Sequence, residues 1–259
     1  MAARRRIRGI FTDIDDTLTT EGKLTAAAYG ALERLRAAAF LVIPITGRPA
    51  GWCDHIARMW PVDGVVGENG AFYFRYDEAA RNLRKRYLLS DGERAANLER
   101  LAAVRDRILA TVPGAALASD QLYREADLAI DFREDVTPLA RHSIDRIVEL
   151  FHQAGATAKI SSIHVNGWFG DYDKLGMTRL MMGECFGVDL DAHQDEYVFI
   201  GDSPNDAPMF EFFTNAVGVA NVTEFADRLS AEPTYVTRGR SGEGFVELAE
   251  LLIAARSSP

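Results

Sequence analysis

The stretch IRGIFTDIDDTLTT, residues 7–20, begins as an apolar run and then places three carboxylates within four positions. A short apolar run that ends at a turn is typical of a buried strand, so we expect a strand over residues 6–12 with Asp13, Asp15 and Asp16 at its end. Carboxylates this close together repel one another, and burying them is costly unless a cation or hydrogen bonds compensate. The stretch therefore predicts a site that binds Mg²⁺ and acts on an anion. The alternative is a polar turn with capping aspartates, a role that we favour for Asp16 alone.

The composition is that of an ordinary globular protein. The 259 residues are 47% hydrophobic and 26% charged, with a net charge of −9, and they suffice for one large domain or two modest ones. The negative charge argues against a nucleic-acid partner, and no apolar stretch approaches the roughly 18 residues of a membrane helix. Two cysteines, Cys53 and Cys185, are too few for a disulfide framework, so we expect a cytoplasmic protein. The oligomeric state stays open.

Predicted strands and helices alternate at both ends of the chain. Near the start, strands over residues 6–12, 41–45 and 64–66 alternate with helices over residues 23–40 and 51–59. Near the end, strands over residues 196–200 and 215–219 alternate with helices over residues 175–186, 207–213 and 224–230. This order favours an α/β fold, a parallel sheet with helices on its faces. In such sheets the active groups lie at the carboxyl ends of the strands.

The middle of the chain has a different pattern. Strands are expected over residues 71–76, 85–89, 122–132 and 157–165, and long helices over residues 93–111 and 139–154. Strand-rich segments that are each joined to a helix indicate a separate α+β unit. We therefore predict a core domain built from residues 1–81 and 168–259, interrupted by an inserted domain over residues 82–167 that would select the substrate.

Two further groups of residues lie where a predicted strand ends or the chain re-enters the core. Thr46 and Gly47 follow the strand over residues 41–45, and a hydroxyl beside a glycine lets a phosphate oxygen approach both side chain and backbone N–H. Arg48 either contacts the substrate or caps the next helix. Lys174, one of only four lysines, stands at the start of a predicted helix. It either neutralises a transferring phosphoryl group or is a solvated charge.

The run Gly201-Asp202-Ser203-Pro204-Asn205-Asp206 follows another buried strand. Mg²⁺ prefers oxygen ligands and few protein carboxylates. Asp202 fits a direct ligand, and Asp206 fits either a ligand or a group that orients water and Lys174. A capping aspartate at a strand–helix turn explains Asp206 alone, but it explains the whole run poorly.

Together these motifs resemble those of the haloacid dehalogenase superfamily, which read DxDxT, a strand-end Ser or Thr, a Lys and GDxxND. The resemblance implies a Rossmann-like core with Mg²⁺ as cofactor. It implies Asp13 as nucleophile and metal ligand, and Asp15 as acid/base with its carbonyl on the metal. Thr46 and Lys174 would hold the phosphate, with Gly47, Arg48 and Asn205 nearby, and Asp202 and Asp206 would complete the metal site. The run Gly67-Glu68-Asn69-Gly70-Ala71 and the large insert resemble the type IIB branch with its C2 cap, which includes the sucrose-phosphate and mannosyl-3-phosphoglycerate phosphatases.

The inserted unit should select the leaving group. The candidates in or beside its predicted strands are Arg124, Ser161, Ser162, His164 and Asn166. Alternate residues of a strand share one face, so Ser162, His164 and Asn166 either line the cleft together or form a solvated face of the sheet.

The leading hypothesis is therefore a Mg²⁺-dependent phosphatase that hydrolyses a small phosphorylated metabolite, a sugar phosphate or a phosphoglycerate derivative, through an aspartyl-phosphate. A sugar phosphomutase needs the same first step and is the alternative. A binding or regulatory module without turnover is the third reading, and the complete set of motif side chains argues against it.

Overall fold

A computed structural model describes residues 6–257 and resolves them into twelve strands and eight helices. The strands are β1 (Gly9–Thr12), β2 (Leu41–Pro44), β3 (Val65–Gly67), β4 (Phe72–Asp77), β5 (Asn82–Tyr87), β6 (Ala116–Leu117), β7 (Leu128–Asp131), β8 (Thr157–Ile160), β9 (His164–Trp168), β10 (Tyr197–Gly201), β11 (Asn215–Gly218) and β12 (Tyr235–Val236). The helices are α1 (Ala26–Ala37), α2 (Ala50–Met59), α3 (Asp91–Thr111), α4 (Arg141–Gln153), α5 (Lys174–Phe186), α6 (Leu190–His193), α7 (Ala207–Phe212) and α8 (Ser241–Ser257).

The core is a five-stranded parallel sheet in the order β12–β11–β10–β1–β2. Side chains of a strand alternate between the two faces, and the strand sequences follow this rule on both sides. Ile10, Val42 and Val198 pack in one apolar cluster with α1, α2 and α8. Phe11 and Phe199 pack in a second cluster with α5 and α7. The sheet is therefore buried on both faces, which confirms the predicted α/β class.

A second, antiparallel sheet, β3–β4–β5, adjoins the core through a bridge between Ile45 and Val66. A third sheet, β6–β7–β9–β8, is antiparallel and packs against α3 and α4 around a separate apolar cluster. We call this unit of α3, α4 and β6–β9 the cap.

The division at residue 82 stays a prediction. The pairing of β5 with β4 and, through β4, with β3 favours a boundary just after β5. The predicted core reaches residues 1 and 259, and its first five and last two residues lie outside the described part of the chain.

Several sequence-based assignments differ from the structure. The strand expected over residues 122–132 is confined to β7, and Gln121–Tyr123 form a 3₁₀ helix. Residues 157–165 form two strands rather than one, because the Ser161 hydroxyl accepts hydrogen bonds from the backbone N–H groups of Ile163 and His164 and closes a turn. The helix expected over residues 224–230 is absent from the described structure, in which a 3₁₀ helix ends at Phe225. Helix α8 was not expected, although Phe245, Leu248 and Ala249 recur at helical spacing and are buried; two glycines in its first turn weaken the pattern.

None of the helices among residues 6–257 is both long enough and apolar enough to cross a membrane.

Candidate active site

The two aspartate motifs meet because their strands are neighbours. Strand β1 pairs in parallel with β10, with Thr12 opposite Ile200, and the Asp13 N–H donates to the Ile200 carbonyl at 2.9 Å. Asp13 and Asp202 therefore leave the same edge of the sheet at the carboxyl ends of adjacent strands, although 189 residues separate them in sequence.

Lys174 lies between two of the carboxylates. Its Nζ donates to Asp13 Oδ1 and to Asp206 Oδ1, both at 2.7 Å, and all three side chains are buried. One carboxylate oxygen from each of Asp13, Asp202 and Asp206 lies within 4.8 Å of the others. We call these four residues the carboxylate–lysine cluster. It carries three potential negative charges and one positive charge, so its oxygen atoms fit a hard divalent cation such as Mg²⁺.

The raised pKa values of Asp13 and Asp202 reflect the excess of carboxylates over positive charges in the cluster. Burial raises the pKa of Asp13 to about 8, opposed by the ammonium group of Lys174 and reinforced by the neighbouring Asp206 and Asp15 carboxylates. Burial also raises the pKa of Asp202 well above its usual value, and Asp13 and Asp206 add to the effect. A bound divalent cation would offset this cost, because an opposite charge favours the ionised carboxylates.

The second aspartate motif is fixed by its own turn. Asp206 Oδ2 accepts the N–H groups of Asp202 and Ser203 at 3.1 and 3.3 Å, which folds the loop back under its own strand. Asp202 in turn accepts hydrogen bonds from Thr17 Oγ1 at 3.2 Å and Asn221 Nδ2 at 3.3 Å. Asn221 is a residue that sequence reasoning missed, since no motif surrounds it.

The Asp15 carboxylate lies outside the carboxylate–lysine cluster. It accepts hydrogen bonds from Arg48 Nε at 3.0 Å and from Arg48 Nη2 at 2.8 Å. The same guanidinium reaches two acids of the cap, Glu134 at 2.6 Å and Asp120 at 3.2 Å, and stacks on Trp52. Arg48 therefore links the expected acid/base residue to the cap.

Thr46 and Gly47 follow the carboxyl end of β2, the strand that pairs with β1. Thr46 is fully buried and its hydroxyl accepts the Arg48 N–H at 3.0 Å, which shapes the turn. A Cβ atom added to Gly47 would lie 3.2 Å from Asn69 Nδ2. Asn205 donates to Asn69 Oδ1 at 3.3 Å and accepts from the Ser203 hydroxyl.

The turn at residues 67–70 connects Lys174 to the cap. Gly70 has a φ of 107°, and a Cβ atom there would lie 2.0 Å from the Asp173 carbonyl oxygen, so only glycine lets the turn approach the start of α5. The buried Glu68 carboxylate accepts the N–H groups of Ala50 at 2.9 Å and of the cap residues Glu125, Ala126 and Asp127 at 2.6 to 3.2 Å. Burial raises the pKa of Glu68 to about 8, and the neighbouring Asp127 adds to this effect.

The expected cap residues fall into two places. Arg124 has no exposed side-chain surface, and it donates to Asp120, Asp127 and the Gly47 carbonyl. Asn166 donates to Asp127 at 3.0 Å, so both residues lie where the cap meets the core. We call this region the core–cap junction, and it comprises Arg48, Glu68, Asp120, Arg124, Asp127 and Asn166.

Ser162 and His164 lie nearer the cleft. The buried Ser162 neighbours Asp16, where its hydroxyl opposes the rise that burial causes in the Asp16 pKa. His164 Nε2 lies 3.0 Å from Glu134 Oε2, while Ser161 holds the adjacent turn.

Two openings lie near the expected catalytic loop, and the second is lined in part by Asp202 of the cluster. The first has a volume of about 230 Å³ and is lined by Asp15, Asp16 and Arg48 from the core and by Arg133, Glu134 and Ile163 from the cap. The second, about 390 Å³, shares Asp16 and Arg133 with the first and includes Asp202, Asn221 and Arg240. Sequence reasoning missed Arg133 and Glu134, although charged residues directly after a buried strand were an available signal.

Comparisons with known proteins agree with this geometry. The family of haloacid dehalogenase-like hydrolases matches residues 10–96. A phosphoglycolate phosphatase of Methanosarcina acetivorans is 26% identical over 258 residues, which cover 95% of this chain and 97% of that protein.

Two solved structures share the fold. A Thermoplasma acidophilum protein superposes with a TM-score of 0.67 at 19% identity, covering 96% of this chain and 99% of its own. The sucrose-phosphatase of Synechocystis, solved with sucrose and phosphate, superposes with a TM-score of 0.64 at 15% identity. The match covers 95% of this chain and 98% of that protein. The chain is therefore similar to haloacid dehalogenase-like hydrolases over residues 10–96 and to a phosphoglycolate phosphatase over nearly its whole length, and it shares its fold with the sucrose-phosphatase.

Proposed function

We propose that the protein is a Mg²⁺-dependent phosphatase that hydrolyses a small phosphate monoester through an aspartyl-phosphate on Asp13. The observation that carries the proposal is the carboxylate–lysine cluster, in which three buried carboxylates meet one ammonium group. A structural ion pair needs one partner for each charge, whereas this cluster has an excess of carboxylates.

The side chains of Asp13, Asp202 and Asp206 would hold the cation, joined by the backbone carbonyl of Asp15 as the resemblance implies. The cation would supply positive charge that offsets the negative charge of the phosphoryl oxygens. Lys174 supplies a second positive charge, 2.7 Å from the Asp13 carboxylate.

In the first step an Asp13 carboxylate oxygen attacks phosphorus and the bond to the leaving oxygen breaks, with Asp15 donating a proton to that oxygen. In the second step Asp15 takes a proton from water as the water oxygen attacks phosphorus, and the bond to Asp13 breaks. Arg48 holds Asp15 through two guanidinium nitrogens, which orients its carboxylate toward the opening.

Thr46, Gly47, Lys174 and Asn205 would bind the phosphoryl oxygens, because Lys174 contacts Asp13 and the other three residues follow the carboxyl ends of β2 and β10, the neighbours of the strand before Asp13. An opening of about 230 Å³ is below the usual range for drug-sized ligands and favours a small leaving group. The phosphoglycolate and sucrose-phosphate specificities in the names of the similar proteins support a small metabolite, either a phosphorylated hydroxy acid or a sugar phosphate. Both cysteines are free, which is compatible with the expected cytoplasmic location.

The test is phosphate release from a panel of sugar phosphates, phosphoglycolate, phosphoglycerates and nucleotides. We expect release with Mg²⁺, none with EDTA, and none from the Asp13→Asn variant, which should keep its fold by circular dichroism. Isomerised sugar phosphate without free phosphate would indicate the phosphomutase instead. Mg²⁺-dependent release by Asp13→Asn would overturn the assignment of the nucleophile.

A further inference from the structure

We propose that Arg133 of the cap binds a carboxylate on the leaving group and so selects phosphorylated short-chain acids over neutral phosphate esters. This inference rests on the proposed phosphatase function. It is carried by the position of Arg133, by its lack of an acidic partner and by the charge of the surfaces around it.

A buried carboxylate fixes the position of Arg133. Asp131, at the end of β7, accepts the backbone N–H groups of Arg133, Glu134 and Asp135, each at 2.8 Å. The turn is therefore held in one shape, and Arg133 lines both the opening beside Asp15 and the opening that includes Asp202 of the carboxylate–lysine cluster.

Arg133 differs from the other guanidinium groups in these openings. Arg48 is already bonded to Asp15, Asp120 and Glu134, and Arg240 is bonded to Glu224. Among residues 6–257, Arg133 makes no hydrogen bond or ion pair through its side chain, and it acts on Asp16 only through space, where its charge opposes the rise that burial causes in the pKa of Asp16. Its five N–H donors remain free for a ligand.

The charges around Arg133 show why a carboxylate on the leaving group would need this guanidinium group. The first opening also exposes the carboxylates of Asp15, Asp16, Glu21 and Glu134, which would repel a leaving group that carries its own negative charge. A planar guanidinium binds a carboxylate through two parallel hydrogen bonds and would offset that repulsion. The small volume of the opening requires a short spacer between the phosphate and the carboxylate, as in phosphoglycolate.

The test compares two substrates of equal length, phosphoglycolate and ethyl phosphate, which has a methyl group in place of the carboxylate. A hydrogen bond to a charged group contributes roughly 10- to 100-fold in affinity. We therefore expect Arg133→Gln to lower kcat/KM for phosphoglycolate by about 10- to 100-fold, mainly through KM, and to leave ethyl phosphate nearly unchanged. Arg133→Lys should keep part of the preference, because it keeps the charge without the planar fork.

Arg240→Gln is the matched control, since Arg240 lines the second opening but is already paired; it should leave the ratio of the two substrates unchanged. Equal losses on both substrates in Arg133→Gln, or no loss on either, would overturn the proposal. Binding of both compounds to the Asp13→Asn variant with Mg²⁺ gives a readout that is independent of turnover. A carboxylate preference in binding that Arg133→Gln abolishes, in a wild-type protein that releases no phosphate, would support the Arg133 site and count against the phosphatase.

Discussion

The carboxylate–lysine cluster and the core–cap junction are both buried and both rich in acidic residues, but their acids are compensated differently. At the junction, Glu68 accepts hydrogen bonds from four backbone N–H groups, and Asp127 accepts hydrogen bonds from the side chains of Arg124 and Asn166. In the cluster, Asp202 and Asp206 also accept hydrogen bonds from the core, but Lys174 is the one donor within residues 6–257 that bonds to the Asp13 carboxylate. Buried acids that are fully hydrogen-bonded stabilise a structure, whereas acids left in excess favour binding of a cation. Acidic residues therefore hold the cap to the core at the junction, whereas in the carboxylate–lysine cluster they form the proposed cation site.

The largest effect should come from Asp15, which Arg48 links to the core–cap junction. Asp15→Asn removes the group that gives and takes the proton, and general acid–base catalysis contributes about 100- to 10,000-fold. We expect kcat to fall by that factor in steady-state phosphate release.

Asp16→Asn is the matched control, because Asp16 lines the same opening and asparagine tolerates its positive φ of 54°. It should change kcat by less than about 10-fold, well below the range expected for a proton-transfer group. Equal effects of the two variants would remove Asp15 from the acid/base role.

Lys174 offers a test of the excess negative charge. Lys174→Met leaves three carboxylates without a cation, and breaking a buried ion pair costs about 3–5 kcal/mol. We expect that loss in the free energy of unfolding, measured by urea denaturation without metal, and a partial recovery when Mg²⁺ is added. Lys85→Met, at an exposed lysine paired with Asp54, should cost less than about 1 kcal/mol. A loss for Lys174→Met that Mg²⁺ does not reduce would show that the cluster does not bind the ion.

Glu68 offers the corresponding test of the junction. Glu68→Gln turns an amide NH₂ toward backbone N–H donors, and an unsatisfied buried group costs about 1–3 kcal/mol. We expect that loss of stability with no recovery on adding Mg²⁺, together with faster hydrogen exchange at residues 125–127. Glu125→Gln, which changes a half-exposed acid bonded to the Tyr87 hydroxyl, should leave exchange at those amides nearly unchanged. Unaltered exchange in Glu68→Gln would show that this residue does not hold the cap.

The smallest effect is a pH dependence at Glu134. Burial alone would raise its pKa, but His164 and Arg48 lower it to about 2 from an ordinary value of 4.5. An acid whose pKa is lowered by folding contributes stability above its unfolded pKa and loses that contribution as the pH falls toward its folded pKa. The difference in Tm between wild type and Glu134→Gln should be constant above about pH 5 and should shrink below about pH 4.5. A difference that stays constant down to pH 3.5 would contradict this ion pair.

The sequence was informative about the core because its signals are local. The strand before Asp13 and the strand before Asp202 are short apolar runs that end in acidic motifs, and parallel pairing brings such ends to one edge. The position of Lys174 at the re-entry into the core also follows from the order of the elements. The predicted α/β core was therefore confirmed, and the similar proteins support the predicted family.

The junction was not foreseen because its partners are distant in sequence and carry no motif. Arg48 and Glu134 are 86 residues apart, and Glu68 reaches the cap through backbone N–H groups that any residue can supply. The alternation of residues along a strand shows that Ser162, His164 and Asn166 share a face. It does not show whether that face meets solvent or the cleft, because this depends on how the cap packs against the core. Arg124 was expected to help select the leaving group, but the structure places it at the junction, whereas Arg133 lines the openings.

The most direct test of the central claim is a crystal structure with Mg²⁺ and beryllium trifluoride, which mimics a phosphoryl group on a carboxylate. We predict one cation within about 2.1 Å of carboxylate oxygens from Asp13 and Asp202. We also predict that beryllium trifluoride is bonded through beryllium to the other Asp13 oxygen, next to Lys174. A cation bound elsewhere, or an adduct on any residue other than Asp13, would contradict the account.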